Sequence, residues 1–164
     1  MTRPIYVLTA AGTALSNSTD ETVLASTSLA PYSIQPGKVY HVRAAVIATA
    51  TNSTDTLTVR LRVGSVALTG TVVGSSGAVD VANSDVVTLQ VELVVRDADS
   101  SSVVLAHGAV SAPGAEGTAT LRVAFESLAL DNAVTQHIAI TGQWSAASAS
   151  NSCRCDALTV LETV

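Results

Sequence analysis

Hydrophobic and polar residues alternate with a period of two along much of this chain. Between Thr56 and Val63, Leu57, Val59, Leu61 and Val63 fall on one side while Thr56, Thr58, Arg60 and Arg62 fall on the other. Successive side chains of a strand point to opposite faces, so this segment is expected to form a strand with one buried and one wet face. Asp85–Arg96 repeats the pattern with Val87, Leu89, Val91, Leu93 and Val95 inward. Thr118–Leu128 does so with Ala119, Leu121, Val123 and Phe125 inward and Thr120, Arg122 and Glu126 outward. Val39–Ala50 differs: Val42, Ala44, Val46 and Ala48 share one face, but Ala45 and Ile47 sit among His41, Arg43 and Thr49 on the other. A strand greasy on both sides needs partners on both sides.

Weaker patterns fill the rest. Ile5–Ala10, running through Gly12 to Leu15, and Glu21–Leu29 are expected strands, the latter with Val23 and Ala25 inward and Leu24 opposite. Pro36-Gly37 suits the two central positions of a type II turn, because proline fixes φ and glycine accepts a positive one. Residues 69–84, rich in Gly, Ser and Asn, are expected to be a surface loop with a short strand inside. Ser102–Val110, Val134–Trp144 and Cys153–Val164 complete the set. No helical period and no fixed internal repeat is seen. The expected fold is all-β, a single antiparallel β-sandwich of 8–10 strands spanning 1–164. That strand number suits a jelly roll, with Met1–Pro4 as a short N-terminal arm.

Composition adds a hint about partners. Apolar residues make up 48% of the 164-residue chain, and charged residues only 13%, against about 25% in an ordinary soluble domain. The one lysine is Lys38. A surface so poor in charge implies coverage by other subunits. Ala45, Ile47, Val86, Val94, Val104 and Ala124 are apolar on faces their strands otherwise keep polar, and are the candidate interface residues. The net charge of −5, with no basic patch longer than Arg60 and Arg62, disfavours nucleic-acid binding. No apolar run approaches the roughly 18 residues of a membrane span. Arg3 and the interrupted run Ile5–Leu15 fit a strand better than a secretory signal, which implies synthesis in a cytoplasm.

Chemistry is hard to find. No GxxxxGK[ST], HExxH or GxSxG is present. The histidines at 41, 107 and 137 lack ligand spacing, and Cys153-x-Cys155 would place two thiols on one strand face with Cα atoms about 6.6 Å apart, at the edge of disulfide reach. Free thiols are the plainer expectation. Asp97 and Asp99, with Ser100–Ser102, could donate oxygens to calcium but lack the glycine and bidentate glutamate of a calcium loop. Asn17-Ser18-Thr19 and Asn52-Ser53-Thr54 match a glycosylation pattern that Ser/Thr-rich chains often contain. The expectation is no enzyme, no cofactor and no metal.

The stretch Ala14–Leu24, the turn Gln35–Tyr40, the strand Thr56–Gly64 and the return strand ending Leu158-Thr159-Val160 resemble small jelly-roll virion proteins of tailed bacteriophages. That resemblance implies a capsid decoration (cement) protein. The alternatives within it are a head spike or a tail-fibre module that binds a receptor or carbohydrate. It further implies a homo-oligomer, with a trimer favoured, that attaches to the major capsid protein or another virion protein and resides in the virion. No site residues come with the resemblance.

Overall fold

The computed structural model describes residues 1–51, 54–97, 102–111 and 122–164, and the side chains of 102, 103 and 122–126 lie outside the described set. Eleven strands and no helix occur among the described residues. They are β1 (Thr2–Val7), β2 (Leu15–Ser16), β3 (Thr22–Leu29), β4 (Val39–Thr49), β5 (Thr56–Gly64), β6 (Thr71–Asp80), β7 (Asp85–Val95), β8 (Ser102–Ser111), β9 (Arg122–Leu130), β10 (Gln136–Trp144) and β11 (Ser152–Thr163). A seven-stranded sheet runs β1-β11-β4-β7-β8-β9, with β2 also on β11, and a four-stranded sheet runs β3-β10-β5-β6. Every pairing is antiparallel.

The connectivity is that of a jelly roll. The pairs β2–β11, β3–β10, β4–β7 and β5–β6 are nested in the sequence and alternate between the two sheets. This is a long hairpin folded in half and wrapped around a core. β1 and β2 act as one interrupted edge strand along β11, bridged by Leu8 N–H donating to Leu158 O and Gly12 N–H donating to Cys155 O. The hairpin β8–β9 widens the larger sheet beyond β7. It takes the strand count past the expected ten.

The clearest sequence patterns fold as written. Leu57, Val59, Leu61 and Val63 are buried on the inner face of β5, and Val87, Leu89, Val91, Leu93 and Val95 on that of β7. Val42, Ala44, Val46 and Ala48 of β4 pack against them, joined by Tyr40 and Trp144. Sandwiched sheets lie about 10 Å apart, and Val and Leu, with Ile138, Ile140, Tyr40 and Trp144, fill much of the gap here.

Three expectations change. Thr2–Val7 is no arm: it pairs with the chain's own β11, and the Met1 amino group donates to Val164 O. The Gly/Ser-rich stretch expected as a loop is the ten-residue strand β6, an edge strand whose Val73 and Val79 reach the core. Two register shifts absorb its irregularity, as bulges do. In β3 Leu24 is buried inward rather than outward, because the register with β10 shifts at this point and turns two successive residues toward the core. In β9 Leu128 and Leu130 are buried; the faces expected for Ala119–Glu126 fall outside the described side chains.

Candidate interaction face

Strand register lays the outer face of the seven-stranded sheet out in rows. His41 of β4 stands opposite Glu92 of β7, which stands opposite His107 of β8. His41 Nδ1 lies 3.1 Å from Glu92 Oε1, and His107 Nε2 lies 3.4 Å from Glu92 Oε2. Thr163 Oγ1, on β11, sits 3.2 Å from His41 Nε2 and fixes the ring from behind. A polar row therefore crosses the middle of the face, over a shallow depression of about 300 Å³ that also includes Arg43 and Gln90.

Apolar positions flank this row at both ends. Val39 pairs with Val94, which pairs with Leu105. At the other end Ile47 pairs with Val86, and Ala45 with Thr88. Val86 is 41% exposed, while Ala45, Ile47 and Val94 are half-buried. Four of the six candidate interface residues thus lie on one outer face. Val104 does not: it is buried in the core opposite Val95. The run Val103-Val104-Leu105 is apolar at three successive positions, so periodicity alone could not orient it. Ala124 pairs with Gly108, but its side chain lies outside the described residues.

Several charges elsewhere are engaged in bracing the fold. On the outer face of the four-stranded sheet, Arg62 grips the Glu21 carboxylate with Nε at 2.7 Å and Nη2 at 2.8 Å, and donates from Nη1 to Gly70 O. Arg60 adds an ion pair at 3.2 Å. Burial alone would raise the Glu21 carboxyl, but hydrogen bonds from Arg62 and Thr141 and the charges of Arg60 and Arg62 outweigh it and hold it below its ordinary value. Glu162 is buried beside Arg3 and Lys38. Burial again opposes ionisation there, and those two cations again prevail. Arg60 and Arg62 point outward as the alternation requires, but Glu21 occupies them.

Among the described residues no group of three or more His, Cys, Asp or Glu side chains is placed to hold a metal ion. Asp97 is exposed, and Asp99 lies outside the described residues with Asn52. Cys153 and Cys155 are buried free thiols, pushed by burial up to about 12 and about 11 respectively. Thiolates, the reactive form, are thereby suppressed. A cleft of about 740 Å³ lies between the β5–β6 connection and the segment 129–136; Asp131 is its one titratable lining residue and no aromatic ring lines it. No helix among the described residues is long and apolar enough to cross a membrane.

The polar row escaped the sequence reading because Glu92 is 51 positions from its His41 partner. Only the β4–β7 register joins them.

Comparison with known proteins adds little to this picture. No protein-family model matches the chain, and no curated protein matches it. Among solved structures it is similar to a chain in the structure of infectious bursal disease virus Gx strain, at 12% identity and a TM-score of 0.36, over 99% of this chain and 33% of that one. The chain thus spans about a third of the length of that protein.

Proposed function

We propose that this protein is a structural virion component, a capsid decoration or cement protein that binds the outside of a phage head and braces the shell. It acts as a homo-oligomer, without catalysis or cofactor. The observation that carries this reading is the outer face of the seven-stranded sheet. It is broad and, along the β4–β7 seam, apolar at both ends; Arg43, Glu92 and Arg154 are among its few charges, and no element of the chain covers it among the described residues. Monomers seldom leave such a face to water. The engaged state of Glu21, Arg60, Arg62, Glu162 and Lys38 is consistent with a rigid module whose charges brace the fold.

The mechanism is area burial repeated over a lattice. Contacts of moderate strength hold tightly when several copies engage at once, because each first contact raises the effective concentration of the next. The major capsid protein, or another virion protein, supplies the surface on which the oligomer sits, while the outer face of the seven-stranded sheet joins the copies to one another. A tail-fibre or head-spike module that recognises sugar is less well supported, since sugar sites favour aromatic platforms. Trp144 and Tyr40 are buried in the core, Tyr6 is partly buried, and Tyr32, at 67% exposed, is the one exposed aromatic ring among the described side chains.

The test is to add purified protein to naked, expanded heads and measure what remains bound after sedimentation. Saturable, stoichiometric binding with delayed heat disruption of the shell is expected. Non-saturable or absent binding, or reproducible hits on a glycan array, overturns the reading.

A further inference from the structure

The residues at the centre of the outer face are paired in a way that makes the face complementary to itself. Across the β4–β7 seam, Val39 stands beside Val94, His41 beside Glu92 and Ile47 beside Val86. Consider a second copy laid face to face, related by a two-fold axis that runs along the strands between β4 and β7. That operation sets each residue of β4 over the β7 residue with which it is already paired. Val39 then meets Val94 of the second copy, Ile47 meets Val86, and His41 meets the Glu92 carboxylate. Arg43, which forms no ion pair among the described residues, meets Gln90, a neutral acceptor. Along the β4–β7 seam no like charges are opposed among the described residues.

We infer that the outer face of the seven-stranded sheet seats the same face of a second copy of this chain about that axis. This deepens the self-association proposed above, and replaces the trimer that the resemblance implies with a two-fold pair. Such an interface is isologous, so one patch serves both sides. Its strands stay nearly aligned, as sheets packed face to face prefer.

The area is adequate. Strands β11, β4, β7 and β8, each about 4.8 Å wide and, in β4, 11 residues long at about 3.4 Å per residue, present roughly 700 Å² per copy. The pair would bury about 1,400 Å², within the 1,200–2,000 Å² of stable protein complexes. The chemistry suits it as well. Apolar pairs close both ends of the seam, an imidazole faces a carboxylate between them, and the one lysine, Lys38, is held elsewhere by Glu162.

Sedimentation velocity between about 1 and 100 μM tests this on the full chain. The expected mass is twice that of the 16.6 kDa chain. Val94→Arg and Ile47→Asp, which place charges at opposite ends of the seam, should each raise the dissociation constant at least about tenfold, because each sets a charge against an apolar residue of the second copy. Circular dichroism should stay that of the native fold. Thr58→Arg, on the outer face of the four-stranded sheet, should leave the dimer intact. Glu92→Arg should weaken it, and adding His41→Glu should restore it, because the restored attraction crosses the seam. A monomer at 100 μM, a three-copy species, or a dimer indifferent to both Val94→Arg and Ile47→Asp overturns the pairing. Particle binding is measured separately, so a particle-bound protein that fails to dimerise refutes the pairing while sparing the virion reading.

Discussion

Gly108 offers a sharp stability experiment, because two glycines in this sandwich should respond oppositely to the same methyl group. A Cβ built at Gly108 of β8 would lie 2.1 Å from Gln90 O and 2.7 Å from Val91 Cα. Both are backbone atoms of β7, so no side-chain rotation relieves the clash. An ordinary contact of about 3.4 Å requires the strands to separate by more than about 1 Å, which breaks the ladder locally. The φ of 157° adds conformational strain, since that region is nearly exclusive to glycine. Overpacking costs about 1–3 kcal/mol and backbone strain a similar amount, so Gly108→Ala should lose about 3 kcal/mol. For a chain of this size that lowers Tm by roughly 6–12 °C. Gly74 of β6 is the counterpart. Its Cβ would meet Val110 Cγ2 at 3.5 Å and Val91 Cγ2 at 3.6 Å, which is normal contact. Gly74→Ala should hold stability steady or raise it by about 0.4–1 kcal/mol, by restricting the unfolded chain. Thermal denaturation of both variants, followed by circular dichroism, measures the contrast. Equal melting temperatures for Gly108→Ala and wild type would refute the close β7–β8 approach.

Three further outcomes follow from the same structure. Leu61→Ala removes a fully buried side chain between the sheets and should cost about 3–5 kcal/mol in urea unfolding. Glu21 and Glu162 are held below their ordinary value of 4.5 in the fold. Their contribution to stability is therefore complete above about pH 4.5 and fades as pH falls through the depressed folded values. Midpoints of chemical denaturation should drop across that acid range in wild type and drop less in Glu21→Gln or Glu162→Gln, each of which should already be weaker at pH 7. Cys153 and Cys155 should react with a thiol reagent at pH 8 only on the timescale of unfolding, and at once in denaturant; rapid labelling of the native protein would show that β11 opens.

How far the sequence carried this picture depended on whether each strand could be oriented by itself. β5 and β7 could, because a strict period of two separates their faces; the buried Leu57, Leu61, Leu89 and Leu93 follow from it. β6 could not. Its glycines and serines speak for a loop, and its place at the sheet edge follows from pairing with Arg60 and Leu61 across two register shifts. Bulges hid two more features, the inward Leu24 and the reversal between Cys155 and Ala157 in β11. The interaction face was half legible. Ala45, Ile47, Val86 and Val94 stood out as apolar residues among polar neighbours, whereas Val104 belongs to the core. The His41–Glu92–His107 row depends on contacts between strands distant in sequence, which no local pattern encodes.

The most direct measurement of the central claim is the location of the chain on a particle. An epitope inserted at Ala149, exposed in the connection between β10 and β11, would mark it without disturbing a strand or the outer face of the seven-stranded sheet. Electron microscopy of purified virions with an antibody to that epitope should show label distributed over the outer surface of the head at regular lattice positions. Label confined to the tail tip, or protein found solely in the soluble fraction of the lysate, would contradict a role in bracing the capsid.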